Sequence, residues 1–305
     1  MLPNTFIIGA PKCGTTALAS YLASHPEVYF SVPKEPLFWC QDLPAAKHEL
    51  RPRTLEEYLL LFKEADPRRH KIVAEGSTAY LRSKVAVPRI LEFSPDAKFI
   101  VMLRNPVDVV QAFHMEQCYN QNETETDFTK AWALQSEREQ GRSMPNASIG
   151  RDDVLYRKIA RFGEQVRFIK SHVLKNNIKY IFYEDFQADS RRVYTDVLEF
   201  LGLQDDGRDE FEPVNAAHSA RIPLISRFIL HPPAILERPM RSLRMYLIRN
   251  NYKYIKIVKN YLNKKSLRKP VSENLKQEIS NYFLEDIKLL EDEIGRNLSM
   301  WTGAK

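Results

Sequence analysis

Short apolar runs closed by polar turns alternate with amphipathic stretches along most of the chain. Thr5-Phe6-Ile7-Ile8 closes on Gly9 and reads as a buried strand entering a tight turn. In the stretch that follows, residues 15–22, Leu18, Tyr21 and Leu22 sit at helical spacing. The opening unit is therefore strand, glycine-bearing turn, helix. A second buried strand is expected at 98–103 (KFIVML), stopped by Arg104-Asn105-Pro106. Val107 to His114 then continues as a helix, because a proline near the first turn lacks only an N–H that has no partner there. A third strand covers 179–183 (KYIFY), followed by Glu184-Asp185 and a helix through Val193, Leu198 and Leu201 to Gly202. Lys71-Ile72-Val73-Ala74 is another strand with Glu75 at its end. Over 272–298, Leu275, Ile279, Phe283, Ile287, Leu290 and Ile294 recur at helical spacing, which predicts a closing helix packed on the sheet.

Strands alternating with helices predict an α/β fold, a P-loop-like three-layer arrangement with a central parallel sheet flanked by helices. In such sheets ligands bind beyond the carboxyl ends of the strands. Lys12, Arg104 and Tyr183-Glu184 all follow a strand there, and their convergence is the first sign of a site. The chain, 1–305, is read as one domain. Two stretches fit the alternation poorly. Residues 118–150 are rich in Gln, Glu, Asn and Ser; residues 213–270 carry basic and aromatic side chains such as Arg221, Arg244 and Tyr252. Each reads most simply as a solvated helical face, the alternative being lid or acceptor-binding insertions.

The net charge of +6 suits an anionic ligand. Nucleic acid is not expected as a partner, since the basic footprint and the binding signatures are missing. Cys13, Cys40 and Cys118 are odd in number and widely spaced, which argues against a disulfide framework; without a CxxC or Cys/His cluster, no metal is expected. A reducing, cytoplasmic setting follows from that usage. No apolar run approaches the ~20 residues that span a bilayer, so no integral membrane segment is expected, although removal of an N-terminal anchor is the alternative.

Gly9-Ala10-Pro11-Lys12-Cys13-Gly14-Thr15-Thr16 has the two bracketing glycines of a phosphate-binding loop. A triphosphatase loop would place lysine directly after the second glycine. Thr15 stands there, and the lysine has moved inside the loop to Lys12. Backbone N–H groups from Cys13 to Thr16 can still cradle a phosphate at the helix N terminus. From inside the loop Lys12 can reach the oxygen that bridges this phosphate to a transferable group. No clear second carboxylate for a magnesium-triphosphate site follows. Two other readings stay open at this point: a P-loop nucleotide kinase, and an idle nucleotide-binding protein of the same fold.

The string FIIGAPKCGTTAL resembles the 5′-phosphosulfate-binding loop of sulfotransferases that use 3′-phosphoadenosine 5′-phosphosulfate (PAPS), particularly the bacterial and glycosaminoglycan-type branch that includes heparan sulfate sulfotransferases. VPKEPLFW, EGSTAYL and KFIVMLRNPVDVVQAFH resemble later segments of that branch. IFYEDF followed by VLEFLGL is similar to a strand–helix unit shared with cytosolic members. The resemblance runs over about residues 5–203 and resumes in GRNLSMW.

The resemblance implies a sulfotransferase domain that moves a sulfuryl group from PAPS to a hydroxyl or amine of a glycan, lipid or other small acceptor, without a metal. It implies that Lys12 neutralises charge on the leaving oxygen and that Glu35 is the general base. Pro11, Lys12, Cys13, Gly14, Thr15 and Thr16 would hold the 5′-phosphate, Arg104 the 3′-phosphate and Tyr183 the adenine. For each there is a plainer reading: an ion pair with Lys34 for Glu35, a helix cap for Thr15 or Thr16, a buried strand-end aromatic for Tyr183. Lys34 is expected to orient Glu35 or to meet a sulfonate oxygen. Glu75 is a reserve base, more simply a structural carboxylate satisfied by loop N–H groups. The chain also departs from the branch. Leu37 stands where a histidine is usual, Gly76 where a lysine often follows Glu75, and Ala112 where a serine completes the 3′-phosphate clamp, with Gln111 or His114 as substitutes.

Overall fold

The computed structural model describes residues 1–44, 51–145, 151–212, 218–220, 239, 263–265 and 270–302. Its centre is five short strands: β1 (Thr5–Gly9), β2 (Val28–Phe30), β3 (Ile72–Gly76), β4 (Lys98–Leu103) and β5 (Ile178–Phe182). They form one sheet in the order β2-β3-β1-β4-β5, with every pairing parallel. All residues of β1 and β3, and all but the first of β4, are buried. Strands without an alternating polar face need cover on both sides, and the helices supply it. The expected three-layer parallel α/β fold is the one observed. β2 was not legible, since three residues with polar neighbours carry no pattern.

The helices lie close to the predicted positions. α1 (Thr15–Ala23) follows β1, and α2 (Leu55–Leu59) and α3 (Ala86–Phe93) flank β3 in the chain. α4 (Pro106–Tyr119) runs a turn beyond the expected end at His114, and Pro106 is in its first turn, with Asn105 capping it by accepting from the Val107 N–H at 3.0 Å. The chain continues through α5 (Phe128–Ala133), α6 (Gln135–Glu139), α7 (Tyr156–Ile159), α8 (Phe162–Lys170), α9 (Tyr183–Ala188) and α10 (Ser190–Leu201). α11 (Glu273–Ile294) and α12 (Ser299–Thr302) close it.

The polar stretch after Cys118 is tied into the fold as far as it is described, to residue 145. Trp132 is buried, and the Glu123 carboxylate takes two bonds from the Arg138 guanidinium, at 2.5 and 3.0 Å, and one from the Tyr156 hydroxyl at 2.8 Å. Most of the 213–270 stretch lies outside the described residues; within it, His218–Ala220 and Asn263–Lys265 pair as an antiparallel ladder. No helix among the described residues is long and apolar enough to cross a membrane.

α11 buries Leu275, Ile279, Phe283, Ile287 and Leu290, the positions its spacing predicted, while Ile294 is only partly covered. Its Asp286 caps α8 by accepting from the N–H groups of Gly163 and Glu164 at 2.9 and 3.0 Å. At Gly163 a Cβ would stand 2.3 Å from the Asp286 carbonyl oxygen. Gly163→Ala should therefore lower stability by about 1–3 kcal/mol despite the better helix propensity of alanine. Denaturant unfolding checks this; an unchanged or raised midpoint would contradict the close approach.

Candidate active site

Because β1 lies between β3 and β4, with β5 beyond, the segments leaving these strands meet at one edge of the sheet. A cleft of about 330 Å³ opens there, and Pro11, Lys12, Gly14, Thr15 and Thr16 line it together with Glu35, Arg104 and Tyr183.

The loop after β1 is held tightly. Ala10 N–H donates to the Met102 carbonyl of β4 at 2.6 Å, and at Gly9 a Cβ would be 2.5 Å from that of Leu81. Lys12 has a left-handed backbone, φ 63°, which costs a non-glycine residue about 1–2 kcal/mol and is a mark of functional loops. Gly14, φ 87°, occupies the cap position of α1, and no side chain caps that end. The N–H groups of the first turn are thus presented to the cleft beside Lys12, an arrangement that fits a phosphate. Thr15 and Thr16 are the first two residues of the helix, so neither is its cap. Cys13 is not among the described residues that line the cleft: its side chain is fully buried, Sγ bonds the Pro11 carbonyl at 3.4 Å, and burial pushes the thiol well above its usual range.

The segment carrying Glu35 crosses the same cleft. Lys34 Nζ donates to Thr15 Oγ1 at 3.3 Å and to Glu35 Oε1 at 2.9 Å, and Thr78 Oγ1 donates to Glu35 Oε2 at 3.2 Å. The simple ion pair with Lys34 and a place in the cleft therefore coexist at Glu35. Arg104 lies opposite. Its Nε and Nη2 donate to Asp108 Oδ2 at 3.2 and 2.9 Å, its Nη1 reaches the Lys12 carbonyl at 3.5 Å, and its guanidinium carbon is 4.4 Å from the centroid of the Tyr183 ring. Tyr183 is the first residue of α9 rather than the last of a strand. Its neighbours lock this corner: Glu184 Oε1 accepts from Asn105 N–H and Trp301 Nε1, both at 3.1 Å, and Asp185 pairs with Arg296 at 2.5 and 2.9 Å.

A profile described as the sulfotransferase domain matches residues 2–218. The chain belongs to the sulfotransferase domain family. Carbohydrate sulfotransferase 15 of Mus musculus is 35% identical over 144 residues, covering 35% of this chain and 26% of that protein. Heparan sulfate glucosamine 3-O-sulfotransferase 6 of Mus musculus is 36% identical over 108 residues, covering 34% and 28%. The chain thus spans about a quarter of the length of these curated relatives. A solved sulfotransferase from Alicyclobacillus acidocaldarius shares the fold, with a TM-score of 0.70 at 24% identity over 99% of each chain.

Several features of this cleft were not read from the sequence. On α4, Phe113, Glu116, Gln117 and Asn120 share one face at helical spacing and all line the cleft. Glu116 Oε1 is 3.6 Å from Lys12 Nζ; burial raises its carboxyl and so does nearby Glu35, while Lys12 opposes the shift. Once α4 was recognised, its period pointed to this face. Arg82 and Asp153, joined at 2.5 Å, also line the cleft, but one follows a 3₁₀ turn and the other precedes a short helix, with no motif to mark them. The substitutes expected for the missing serine lie off this cleft. His114 is buried with Nε2 2.8 Å from the Glu125 carbonyl oxygen, and neither it nor Gln111 is among the described residues that line the cleft. His114 points away because it lies outside the 113/116/117/120 face.

Glu75 also differs from expectation. It lies within β3, fully buried, and hydroxyls rather than N–H groups satisfy it: Tyr58 and Tyr80 donate to Oε1 at 3.0 and 2.9 Å, and Ser77 to Oε2 at 2.7 Å. Burial, against these three bonds, pushes its carboxyl up to about 7. A carboxyl raised above its unfolded value keeps its proton in the folded state while the unfolded chain releases one. Its contribution is full below the ordinary carboxylate range and is lost as pH rises through about 7. Wild-type stability should therefore fall between pH 5 and pH 8 by about 3 kcal/mol more than that of Glu75→Gln. Urea unfolding across that range checks it; parallel curves for the two proteins would contradict it.

Proposed function

We propose that this protein transfers a sulfuryl group from PAPS to a hydroxyl or amine of a small-molecule, lipid or glycan acceptor. The observation that carries the reading is the meeting of Lys12, Arg104, Glu35 and the uncapped start of α1 around one cleft. The family membership supports sulfuryl transfer as its chemistry. Each group of the donor finds a suitable partner. The N–H groups of residues 13–16, with the Thr15 and Thr16 hydroxyls, suit the 5′-phosphate. The Arg104 fork suits the 3′-phosphate, and the Tyr183 ring the adenine.

In this reading the acceptor oxygen or nitrogen bonds to sulfur as the bond from sulfur to the bridging phosphate oxygen breaks. Lys12 exchanges its contact with Glu116 for that departing oxygen and neutralises the charge that grows there. Glu35 takes the acceptor proton, Lys34 having fixed its carboxylate against Thr15. The remaining work is in-line placement of the two partners, for which a loop pinned to β4 is suited. No step requires a metal. The three free thiols support a reducing, cytoplasmic setting.

Adenosine 3′,5′-bisphosphate, the product of the donor, is the direct probe. Calorimetry should show one site, and Arg104→Ala should weaken that nucleotide about 10–100-fold while leaving adenosine 5′-phosphate nearly unaffected. Equal losses for both nucleotides would remove Arg104 from the 3′-phosphate; no heat at millimolar nucleotide would overturn the donor assignment. With an acceptor from a screen using labelled PAPS, Lys12→Ala should slow transfer about 10²–10³-fold, and Glu35→Gln should do the same with nucleotide affinity retained. Wild-type turnover in Glu35→Gln would exclude it as the base.

A further inference from the structure

The segment bearing Lys34 and Glu35 has no secondary structure of its own. What fixes it is the stretch running from the end of β3. Gly76 N–H donates to the Lys34 carbonyl at 3.1 Å, Leu37 N–H donates to Ser77 Oγ at 3.1 Å, and Trp39 N–H donates to Tyr80 Oη at 3.3 Å. Thr78 Oγ1 reaches Glu35 itself. Two of these four supports are hydroxyl oxygens that accept from the segment. A hydroxyl can rotate, and it holds an N–H in a fixed direction only when its own proton is committed elsewhere.

Glu75 supplies that commitment in its carboxylate form, which accepts from all three hydroxyls. The Ser77 hydroxyl donates to its Oε2 and the Tyr80 hydroxyl to its Oε1, so both oxygens present lone pairs to Leu37 and Trp39. The third donor, Tyr58, stacks its ring on Phe38 at 4.7 Å between centroids. Leu37 has a left-handed backbone, φ 55°, a strain that persists only where neighbouring contacts enforce it. Its N–H bond to Ser77 is such a contact. Glu75 itself is fully buried and forms no ion pair among the described residues. A buried carboxyl without a cation is costly, and hydrogen bonds to three hydroxyls are what it has in return. Packing of Phe38 and Trp39 alone would not require an acid at this place.

We propose that Glu75 is a positioning residue: through Ser77 and Tyr80 it fixes the backbone on which Glu35 meets the acceptor. The proposal rests on Glu35 being the base. It makes the pattern Lys34-Glu35 in one segment and Glu75, Ser77 and Tyr80 in another a single functional unit, with the two halves separated by more than thirty residues of chain.

Hydrogen–deuterium exchange of the peptide covering residues 34–40, read together with nucleotide affinity, tests it in Glu75→Gln and in Ser77→Ala, the second variant serving where the first fails to fold. The amides of Leu37 and Trp39 are expected to exchange at least about tenfold faster in Glu75→Gln, and that of Leu37 in Ser77→Ala, while the affinity for adenosine 3′,5′-bisphosphate stays within about twofold. Exchange unchanged in both variants would overturn the proposal and leave aromatic packing as what holds the segment. Equal loosening with a parallel loss of nucleotide affinity would also overturn it, as a general structural role. A double-mutant cycle on PAPS turnover separates the two layers. Ser77→Ala should lower turnover about tenfold in the wild type and have little further effect in Glu35→Gln. Multiplying effects would contradict the positioning role, whereas an unimpaired Glu35→Gln with a loosened segment would sink the base assignment alone.

Discussion

β1 runs between β3 and β4, and the site depends on that placement more than on any single contact. Parallel pairing aligns the carboxyl ends, so the loop after β1 is flanked by the end of β3 on one side and by Arg104 after β4 on the other. Lys12 thereby comes within reach of groups contributed from widely separated parts of the chain. The Ala10 bond to Met102 and the close contact of Gly9 with Leu81 transmit the register of the sheet to the loop. Rigid strands position, and the loops leaving them carry the chemistry.

The electrostatics of the cleft follow from this crowding. Four cations in or beside the cleft have a carboxylate next to them: Lys12 has Glu116, Lys34 has Glu35, Arg104 has Asp108 and Arg82 has Asp153, while Arg51 donates to the Cys40 and Leu43 carbonyls. Such pairs keep the long side chains in place without saturating their donors. A bound anion would share or displace these partners rather than meet freely moving side chains, which lowers the ordering cost of binding. It would also free Glu116 from Lys12, leaving a second carboxylate in the cleft beside Glu35. Of the two departures, Leu37 lines the cleft, whereas Ala112 is buried on α4 and is not among the described residues that line it. Leu37 gives the cleft an apolar wall where the branch it resembles has a polar ring.

Much of the fold was legible because its strands are buried on both faces and therefore read as unbroken apolar runs. KFIVML marked β4 to the residue, and the periodic leucines and isoleucines marked α11. Pro11, Lys12, Gly14, Thr15 and Thr16 of the loop after β1, with Arg104, Glu35 and Tyr183, were named from motif order, and the structure brings them to one cleft, with Cys13 buried behind it. Three kinds of feature were not legible. Glu116 needed the end of α4, which runs past the expected stop. Arg82 follows one 3₁₀ turn and Asp153 lies within another, Arg151–Val154, elements too short for spacing to mark. The burial of Glu75 among three hydroxyls is a property of segments distant in sequence, and a glutamate at the end of an apolar run looks like an exposed one. His114 lies off the face of α4 that looks into the cleft, a periodic relation that the motif alone does not display.

The central claim is that the start of α1 and Arg104 together receive the two phosphates of the donor nucleotide. A crystal structure with adenosine 3′,5′-bisphosphate tests it most directly. The account predicts the 5′-phosphate within hydrogen-bond distance of the N–H groups of Gly14, Thr15 and Thr16, with Lys12 Nζ withdrawn from Glu116, and the 3′-phosphate on the Arg104 guanidinium. A nucleotide bound elsewhere, or lying in the cleft with Lys12 still on Glu116 and Arg104 still held only by Asp108, would contradict it.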